Sequence, residues 1–173
     1  MDEKTIDLND FEKYCDLSPG LCISFSEAIR ICMENRGHQP GVRLRIEGGF
    51  EGEFILTWQP PEPKVLRSWQ FQNVAVEWAA YALAAICIWE LTPFCMAKQS
   101  AQGTGFDYAL REKSSVWSGH ADAIAEVSGI LHGSVGQINF RVKEKLAQPK
   151  VVAKDVIIVV VEFSRPLVKM VKK

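Results

Sequence analysis

Apolar residues occupy every second position on both sides of a glycine-rich turn over residues 47–53. They are Val42, Leu44, Ile46, Phe54, Leu56 and Trp58. An alternation of period two puts these side chains on one face of extended chain. The pattern predicts a β-hairpin with one apolar face and one face in water. The proline-rich segment 59–63 ends it, because proline cannot donate to a strand ladder.

Helical signals occur twice in the first 40 residues. Leu8, Phe11 and Cys15 have helical spacing, so we expect a short helix over residues 5–16 that ends before Pro19. A second helix is predicted to begin at the capping-box sequence Ser24-Phe25-Ser26-Glu27, since serine and glutamate three residues apart can satisfy each other's backbone amides. Gly37 is a suitable stop for it.

Two further helices are predicted in the rest of the chain. Residues 72–92 are rich in alanine and apolar almost all round, which is typical of a helix covered on most sides. A basic amphipathic helix is predicted after Ser134, with Ile138, Val142 and Leu146 on one side and Pro149 at its end.

Strand signals separate and follow these helices. Short strands are predicted at Phe106 to Leu110 and at Ala123 to Leu131, and the β-branched run from Val156 to Val161 is typical of a strand buried on both faces. The resulting order is α, α, β, β, α, β, β, α, β. It predicts one α/β domain over residues 1–173, with a central mixed sheet of four to six strands flanked by helices.

Composition and charge narrow the function only slightly. The 173 residues suit one domain, and 47% hydrophobic residues exclude a disordered chain. The net charge of −1 excludes a polycation that coats nucleic acid. However, residues 141–173 hold nine basic and three acidic residues. This end is either a solvated face or a local basic surface for phosphates.

The cysteines and the termini indicate a cytoplasmic protein. Five cysteines without a CxxC pair fit reduced, mostly buried thiols better than a disulfide scaffold or a zinc ribbon. The acidic N-terminus does not predict a signal peptide. The most apolar stretch, from Val74 to Trp89, falls short of the roughly 20 residues that span a bilayer, so we expect no membrane partner.

Two carboxylates stand out by position. Asp107 lies in one predicted strand and Glu126 in the next, where Ile124, Glu126 and Ser128 share a face. If the strands are adjacent, the two carboxylates can converge, and a divalent cation would relieve their repulsion. Mg²⁺ commonly binds one or two carboxylates together with substrate phosphate. The other interpretation is that both are exposed or separately hydrogen-bonded carboxylates.

A helix, an Asp strand, a Glu-x-x strand, a helix and a strand follow one another here. With Gly105-Phe106-Asp107 and Glu126-Val127-Ser128, this arrangement resembles the PD-(D/E)XK nuclease superfamily over residues 72–163. The resemblance implies a restriction-endonuclease-like core, with residues 1–70 as an N-terminal elaboration. It also implies that Asp107, Glu126 and the helix acid Glu77 bind Mg²⁺.

The chain departs from the family at one position. Ser128 stands where the family has a lysine that supports the attacking water. Some members carry that lysine on the following helix, which would make Lys143 or Lys145 catalytic, and others have lost catalysis. For both lysines a solvated helix face is the other interpretation.

Two functions therefore remain open at the level of sequence. One is a metal-dependent nuclease-like protein, with Arg141, Lys143, Lys145 and Trp117 on DNA or RNA, since tryptophan in a polar loop can stack on a base. The alternative is a non-catalytic protein-binding module, such as a partner subunit or a toxin-neutralising protein, in which an exposed tryptophan would bury in the interface. The oligomeric state is open, and a homodimer is compatible with the sequence.

Overall fold

A single eight-stranded mixed sheet organises the computed structural model, which describes residues 3–148 and 155–173. Its strand order is β1-β3-β2-β8-β7-β6-β5-β4. The strands are β1 (Lys4–Asp7), β2 (Val42–Gly48), β3 (Gly52–Thr57), β4 (Phe94–Gln99), β5 (Tyr108–Glu112), β6 (Ala123–Ile130), β7 (Asp155–Glu162) and β8 (Leu167–Lys172). The predicted α/β class is confirmed, but the sheet is wider than the predicted four to six strands.

Four α-helices accompany the sheet in the described ranges. They are α1 (Pro19–Asn35), α2 (Pro63–Ser68), α3 (Gln72–Leu91) and α4 (Val135–Ala147). The predicted helix over 72–92 is confirmed as α3. The basic amphipathic helix is confirmed as α4, with Ile138 and Val142 buried. Its predicted end at Pro149 lies outside the described residues.

The first 20 residues differ from the prediction. In place of a helix over 5–16, the chain forms β1, which pairs in parallel with β3, and one 3-10 turn at Glu12–Tyr14. Ser18, instead of Ser24, caps α1 by accepting from the amide of Leu21, and Pro19 occupies the first turn. Proline is favoured at that position because its fixed φ already suits a helix.

The predicted hairpin is confirmed as β2 and β3, and it joins the main sheet through β8. β2 pairs antiparallel with β3 and parallel with β8. Leu44 and Leu56 are fully buried, whereas Arg43 and Arg45 are exposed on the opposite face. Residues 1–70 therefore supply three strands of the same sheet.

Helices cover the two faces of the sheet unequally. On one face, α1 and α3 pack together over the main core, which extends from Ile6 to Met170. On the other face, α4 covers β6 and β7 through a smaller cluster that includes Ile124 and Ile158. Both clusters draw residues from β7, so this strand is buried on both faces, as its β-branched run predicts.

The C-terminal half runs α3, β4, β5, β6, α4, β7 and β8, two strands more than the order on which the nuclease resemblance rests. β4, β5 and β6 pair antiparallel in sequence order, and β6 pairs in parallel with β7 after the α4 crossover. The additions are β4, which precedes the Asp strand, and β8, which pairs antiparallel with β7. β5 begins at Tyr108, so Asp107 lies just before the strand.

One helix in the described residues, α3, is long and apolar enough to cross a membrane by length and composition alone. Of its most apolar 18-residue window, 56% is buried inside the protein.

Candidate active site

Asp107 and Glu126 occupy facing positions on neighbouring chain segments. The amide of Asp107 donates to the carbonyl of Ala125 at 3.0 Å. The carboxylate Oδ2 of Asp107 accepts from the amide of Val127 at 2.7 Å. The two bonds therefore join Asp107 to the residues immediately before and after Glu126. They continue the antiparallel pairing of β5 and β6 by one residue beyond the pair Tyr108 and Ala125. The two predicted strands are therefore adjacent, and the hydrogen bond to Val127 holds the Asp107 carboxylate against the backbone of β6.

The Asp107 carboxylate lines a cavity of about 320 Å³ between α3, β6 and α4. Helix α3 contributes Asn73, Glu77 and Tyr81 to the lining, β6 contributes Val127, Ser128 and Gly129, and α4 contributes Arg141. Two of the three predicted acids, Asp107 and Glu77, thus share one cavity. The third, Glu126, immediately precedes the lining segment on β6.

Glu77 is held in place by its own helix. The hydroxyl of Tyr81, four residues later on α3, donates to Glu77 Oε1 at 2.8 Å. Burial raises the pKa of Tyr81, and the Asp107 carboxylate and the hydrogen bond to Glu77 raise it further. The phenol therefore stays protonated at neutral pH and remains a hydrogen-bond donor to the acid.

Arg141 brings a permanent positive charge next to Ser128, the position where the superfamily that the sequence resembles has lysine. Its Nη1 donates to Ser128 Oγ at 2.6 Å and to the carbonyl of Gly129 at 3.0 Å. A guanidinium stays charged at every physiological pH and offers several donors in a fixed plane, so it suits phosphate oxygens. It is unsuited to act as a base.

Lys145 contacts the second predicted ligand. Its Nζ lies 3.4 Å from Oε2 of Glu126, whose side chain is 3% exposed. Because α4 carries Arg141 and Lys145 one turn apart, the two cations meet Ser128 and Glu126, which share a face of β6.

Glycine at position 129 lets α3 approach β6 closely. A Cβ atom built there would lie 2.8 Å from the carbonyl oxygen of Val76 and 2.9 Å from its side chain. Both residues line the cavity. The small residue therefore sets the distance between the helix that carries Glu77 and the strand that carries Glu126.

Two predicted residues lie outside this cavity. Lys143 is exposed and lines another cavity with Phe140 and Lys169. Trp117 is half-buried and lines a third cavity with Phe106 and His120. Phe106, which lines this cavity with Trp117, is the residue before Asp107. Of the basic residues predicted for catalysis, Lys145 contacts Glu126 and Lys143 does not.

Asn73 and Tyr81 were not among the residues predicted from sequence, and the contact of Arg141 with Ser128 was not predicted either. The signal for Tyr81 was its i, i+4 spacing from Glu77 on a helix, where such residues are neighbours. The signal for Arg141 was the same spacing from Lys145, since both must face whatever α4 covers.

The donor set of the cavity fits a hard divalent cation. Carboxylate oxygens are the ligands that Mg²⁺ prefers, and one or two carboxylates suffice when substrate phosphate supplies the rest. Asp107 and Glu77 provide two. Within residues 3–148 and 155–173, no group of three or more His, Cys, Asp or Glu side chains is clustered closely enough to bind a metal by itself.

No protein-family model, no curated protein and no solved structure matches this chain. The functional conclusion therefore depends on the arrangement of its own residues.

Proposed function

We propose that the protein is a metal-dependent, nuclease-like hydrolase of nucleic-acid phosphodiesters. The observation that carries the proposal is the placement of Arg141. Its guanidinium contacts Ser128, two residues after Glu126, in the same cavity as the Asp107 carboxylate. A cation and two acids line one opening, and a buried third acid, Glu126, precedes the lining residue Val127 on β6. Such a set is suited to a charged phosphoryl substrate.

The order of the surrounding elements supports the same proposal. Asp107 precedes β5, Glu126 lies on β6, and α4 and β7 follow, with α3 before them. This is the order on which the resemblance to the PD-(D/E)XK superfamily depends. A restriction-endonuclease-like core is part of the proposal.

The acids would hold Mg²⁺, with Asp107 and Glu77 as the ligands that line the cavity and Glu126, on β6 next to the lining residue Val127, as the third acid. Bound there, the ion would supply an activated water and stabilise the charge on the phosphodiester. Tyr81 orients Glu77 through its hydrogen bond. Arg141 binds the phosphate oxygens. It thereby supplies the positive charge that a lysine at position 128 would otherwise place beside the phosphate. Lys145 balances the buried charge of Glu126.

The test is a cleavage assay on single-stranded DNA, duplex DNA and RNA with Mg²⁺, Mn²⁺ or EDTA. The Asp107→Asn variant keeps an acceptor for the Val127 amide while it removes the charge, so it separates chemistry from folding. Glu51→Gln is the matched control, because Glu51 is an exposed carboxylate on the β2–β3 turn. We expect metal-dependent cleavage in the wild type and in the control, and its loss in Asp107→Asn.

A second measurement is independent of activity. A cation that binds only the folded protein raises its melting temperature. Mg²⁺ or Mn²⁺ should therefore stabilise the wild type and the Glu51→Gln control, and should stabilise Asp107→Asn less. A wild type with neither cleavage nor a metal-induced rise in melting temperature would contradict the proposal and favour the non-catalytic binding module.

A further inference from the structure

Helix α4 carries an exposed aromatic ring next to the candidate active site. Phe140 is 62% exposed, although Ile138 and Val142 on either side of it are buried. Single exposed apolar side chains are common on protein surfaces. The surroundings of this ring, however, give it a specific chemistry.

Two cavities meet at the ring of Phe140. One, of about 550 Å³, is lined by Gln137, Arg141 and Glu144. The other, of about 610 Å³, is lined by Asn139, Lys143 and Lys169. Phe140 and Gly136 line both of them.

Gly136 keeps one side of the ring open. It lies one helical turn before Phe140, where a side chain would otherwise cover the ring. A Cβ built on Gly136 would have only Ser134 Oγ near it, at 3.6 Å, so the space beside the glycine is open. Glycine is a poor helix former. The flat ring and the gap before it leave room for a planar group.

The charges around the ring are mainly positive. Arg141, Lys143 and Lys169 line the two cavities, with Glu144 as the acid among them. Lys169 is oriented by its hydrogen bond to Asn139 Oδ1 at 2.6 Å. Arg141 also lines the Asp107 cavity. The three cavities therefore share lining residues in series: Arg141 links the Asp107 cavity to the first cavity beside Phe140, and Phe140 with Gly136 links that cavity to the one lined by Lys143 and Lys169.

We propose that this series of cavities binds single-stranded nucleic acid, with one base stacked on Phe140 above Gly136 and the flanking phosphates on Arg141, Lys143 and Lys169. Stacking on aromatic side chains in a positively charged groove is how proteins bind single strands without sequence preference. A base within a duplex is already stacked on its neighbours and cannot use the ring. The proposal names the substrate class of the proposed nuclease, and it rests on that function only in making the bound strand the substrate.

The test is fluorescence anisotropy in EDTA, with labelled oligonucleotides of about 15 nucleotides as single-stranded DNA, single-stranded RNA and duplex DNA. We expect at least one single strand to bind more tightly than the duplex. Phe140→Ala should weaken that binding by about 5- to 150-fold, the range that base–aromatic stacking spans. Phe140→Trp should retain it.

Gly136→Leu gives an independent check that does not remove the ring. The leucine should cover Phe140 and weaken binding, while the melting temperature stays equal or rises because leucine favours helix more than glycine does. Lys143→Ala should lower the salt dependence of binding by about 0.7 in the slope of log affinity against log salt. Lys64→Ala, an exposed lysine on α2, is the control and should change neither value.

Absence of binding, equal affinity for duplex and single strand, or wild-type affinity in Phe140→Ala or Gly136→Leu would overturn this proposal. Because the assay contains no metal, its failure would leave the cleavage assay intact. Conversely, binding that depends on Phe140 without any cleavage in Mg²⁺ would contradict the proposed nuclease function and support the proposed single-strand binding surface.

Discussion

Arg141 on α4 donates a hydrogen bond of 2.6 Å to Ser128 on β6, across the opening that also holds the Asp107 carboxylate. The bond joins a helix cation to the position where a nuclease of the resembled superfamily carries its lysine. In the proposed nuclease, the positive charge would come from α4 instead of β6, and Ser128 would hold the guanidinium in place.

If Arg141 replaces a lysine at position 128, a lysine placed there should restore part of the cleavage rate of a variant that lacks Arg141. Arg141→Ala should lower the cleavage rate by about a hundred-fold or more, the usual effect of removing one group that stabilises developing charge. Adding Ser128→Lys to that variant should recover part of the rate, because the vacated space admits a lysine at the family position. Single-turnover rates at saturating protein measure both. An Arg141→Ala variant with the wild-type rate would show that the guanidinium has no part in the chemistry.

The ion pair between Lys145 and Glu126 predicts a loss of stability when it is broken. Lys145→Met should lower the free energy of unfolding by about 3 kcal/mol, because it removes a cation that contacts the buried Glu126 carboxylate. The double variant Glu126→Leu with Lys145→Met should recover most of that loss, since apolar replacements of a buried pair are often neutral. Urea denaturation measures all three proteins. A double variant that is less stable than Lys145→Met would contradict this account.

Gly129 predicts a steric cost at the α3–β6 contact. Gly129→Ala should destabilise the protein by about 1–3 kcal/mol, because the new Cβ meets the Val76 backbone at 2.8 Å and must push α3 away. Gly20→Ala is the matched control, since nothing lies within 4 Å of its Cβ position in the first turn of α1. The control should be neutral or slightly more stable. Melting temperatures that fall equally in both variants would argue against close packing at Gly129.

Glu162 predicts a specific sensitivity to acid. Burial by itself raises the pKa of Glu162, but hydrogen bonds from the Ser164 hydroxyl and from the amides of Ser164, Arg165 and Gly133 bring it below the ordinary value of 4.5. A carboxyl group whose folded pKa is depressed adds stability above its unfolded pKa. That stability is lost as the pH falls through the folded pKa.

The measurement for Glu162 is unfolding by urea between pH 7 and pH 3. Glu162→Gln should be less stable than the wild type at pH 7 and should lose less stability below about pH 4.5, where the Glu162 carboxyl group of the unfolded wild-type chain begins to protonate while the folded one stays ionised. Parallel stability curves for the two proteins would contradict the assignment.

The parts of the fold that the sequence predicted are those where burial alone dictates the pattern. Leu44 and Leu56 alternate with polar residues because only one face of the hairpin is covered. The run from Val156 to Val161 is continuous because α3 and α4 cover opposite faces of β7. Helix α3 is apolar almost all round for the same reason, because most of its residues are buried.

The elements that were not predicted are those whose local sequence pattern was weak or was typical of a different element. β1 has four residues and lies in an acidic segment that also has helical spacing, so its pairing with β3 depends on distant contacts. In β8, the half-buried Lys169 interrupts the apolar run. Pro19 suggested a break but is the first residue of α1, because Ser18 before it provides the cap.

The order of the strands was enough to predict which parts of the candidate site lie close together. Adjacent strands bring Asp107 to Glu126, and the position of Glu77 on the preceding helix followed from the resemblance. The apolar positions Ile138 and Val142 predicted which face of α4 packs on the sheet, but not which charged residues beside that face reach β6. Arg141 and Lys145 do, whereas Lys143, about 200° of rotation from Arg141 in a 3.6-residue helix, is exposed to solvent.

The most direct test of the proposed function is the single-turnover cleavage of a labelled single-stranded oligonucleotide in Mg²⁺ by the wild type and by Asp107→Asn, with folding of both verified by their melting temperatures. We expect cleavage by the wild type, none in EDTA, and a rate about a thousand-fold lower in Asp107→Asn, equivalent to several kcal/mol of transition-state stabilisation. Equal rates in the two proteins, or a folded wild type that leaves single strands, duplex and RNA intact in both Mg²⁺ and Mn²⁺, would contradict the proposed function.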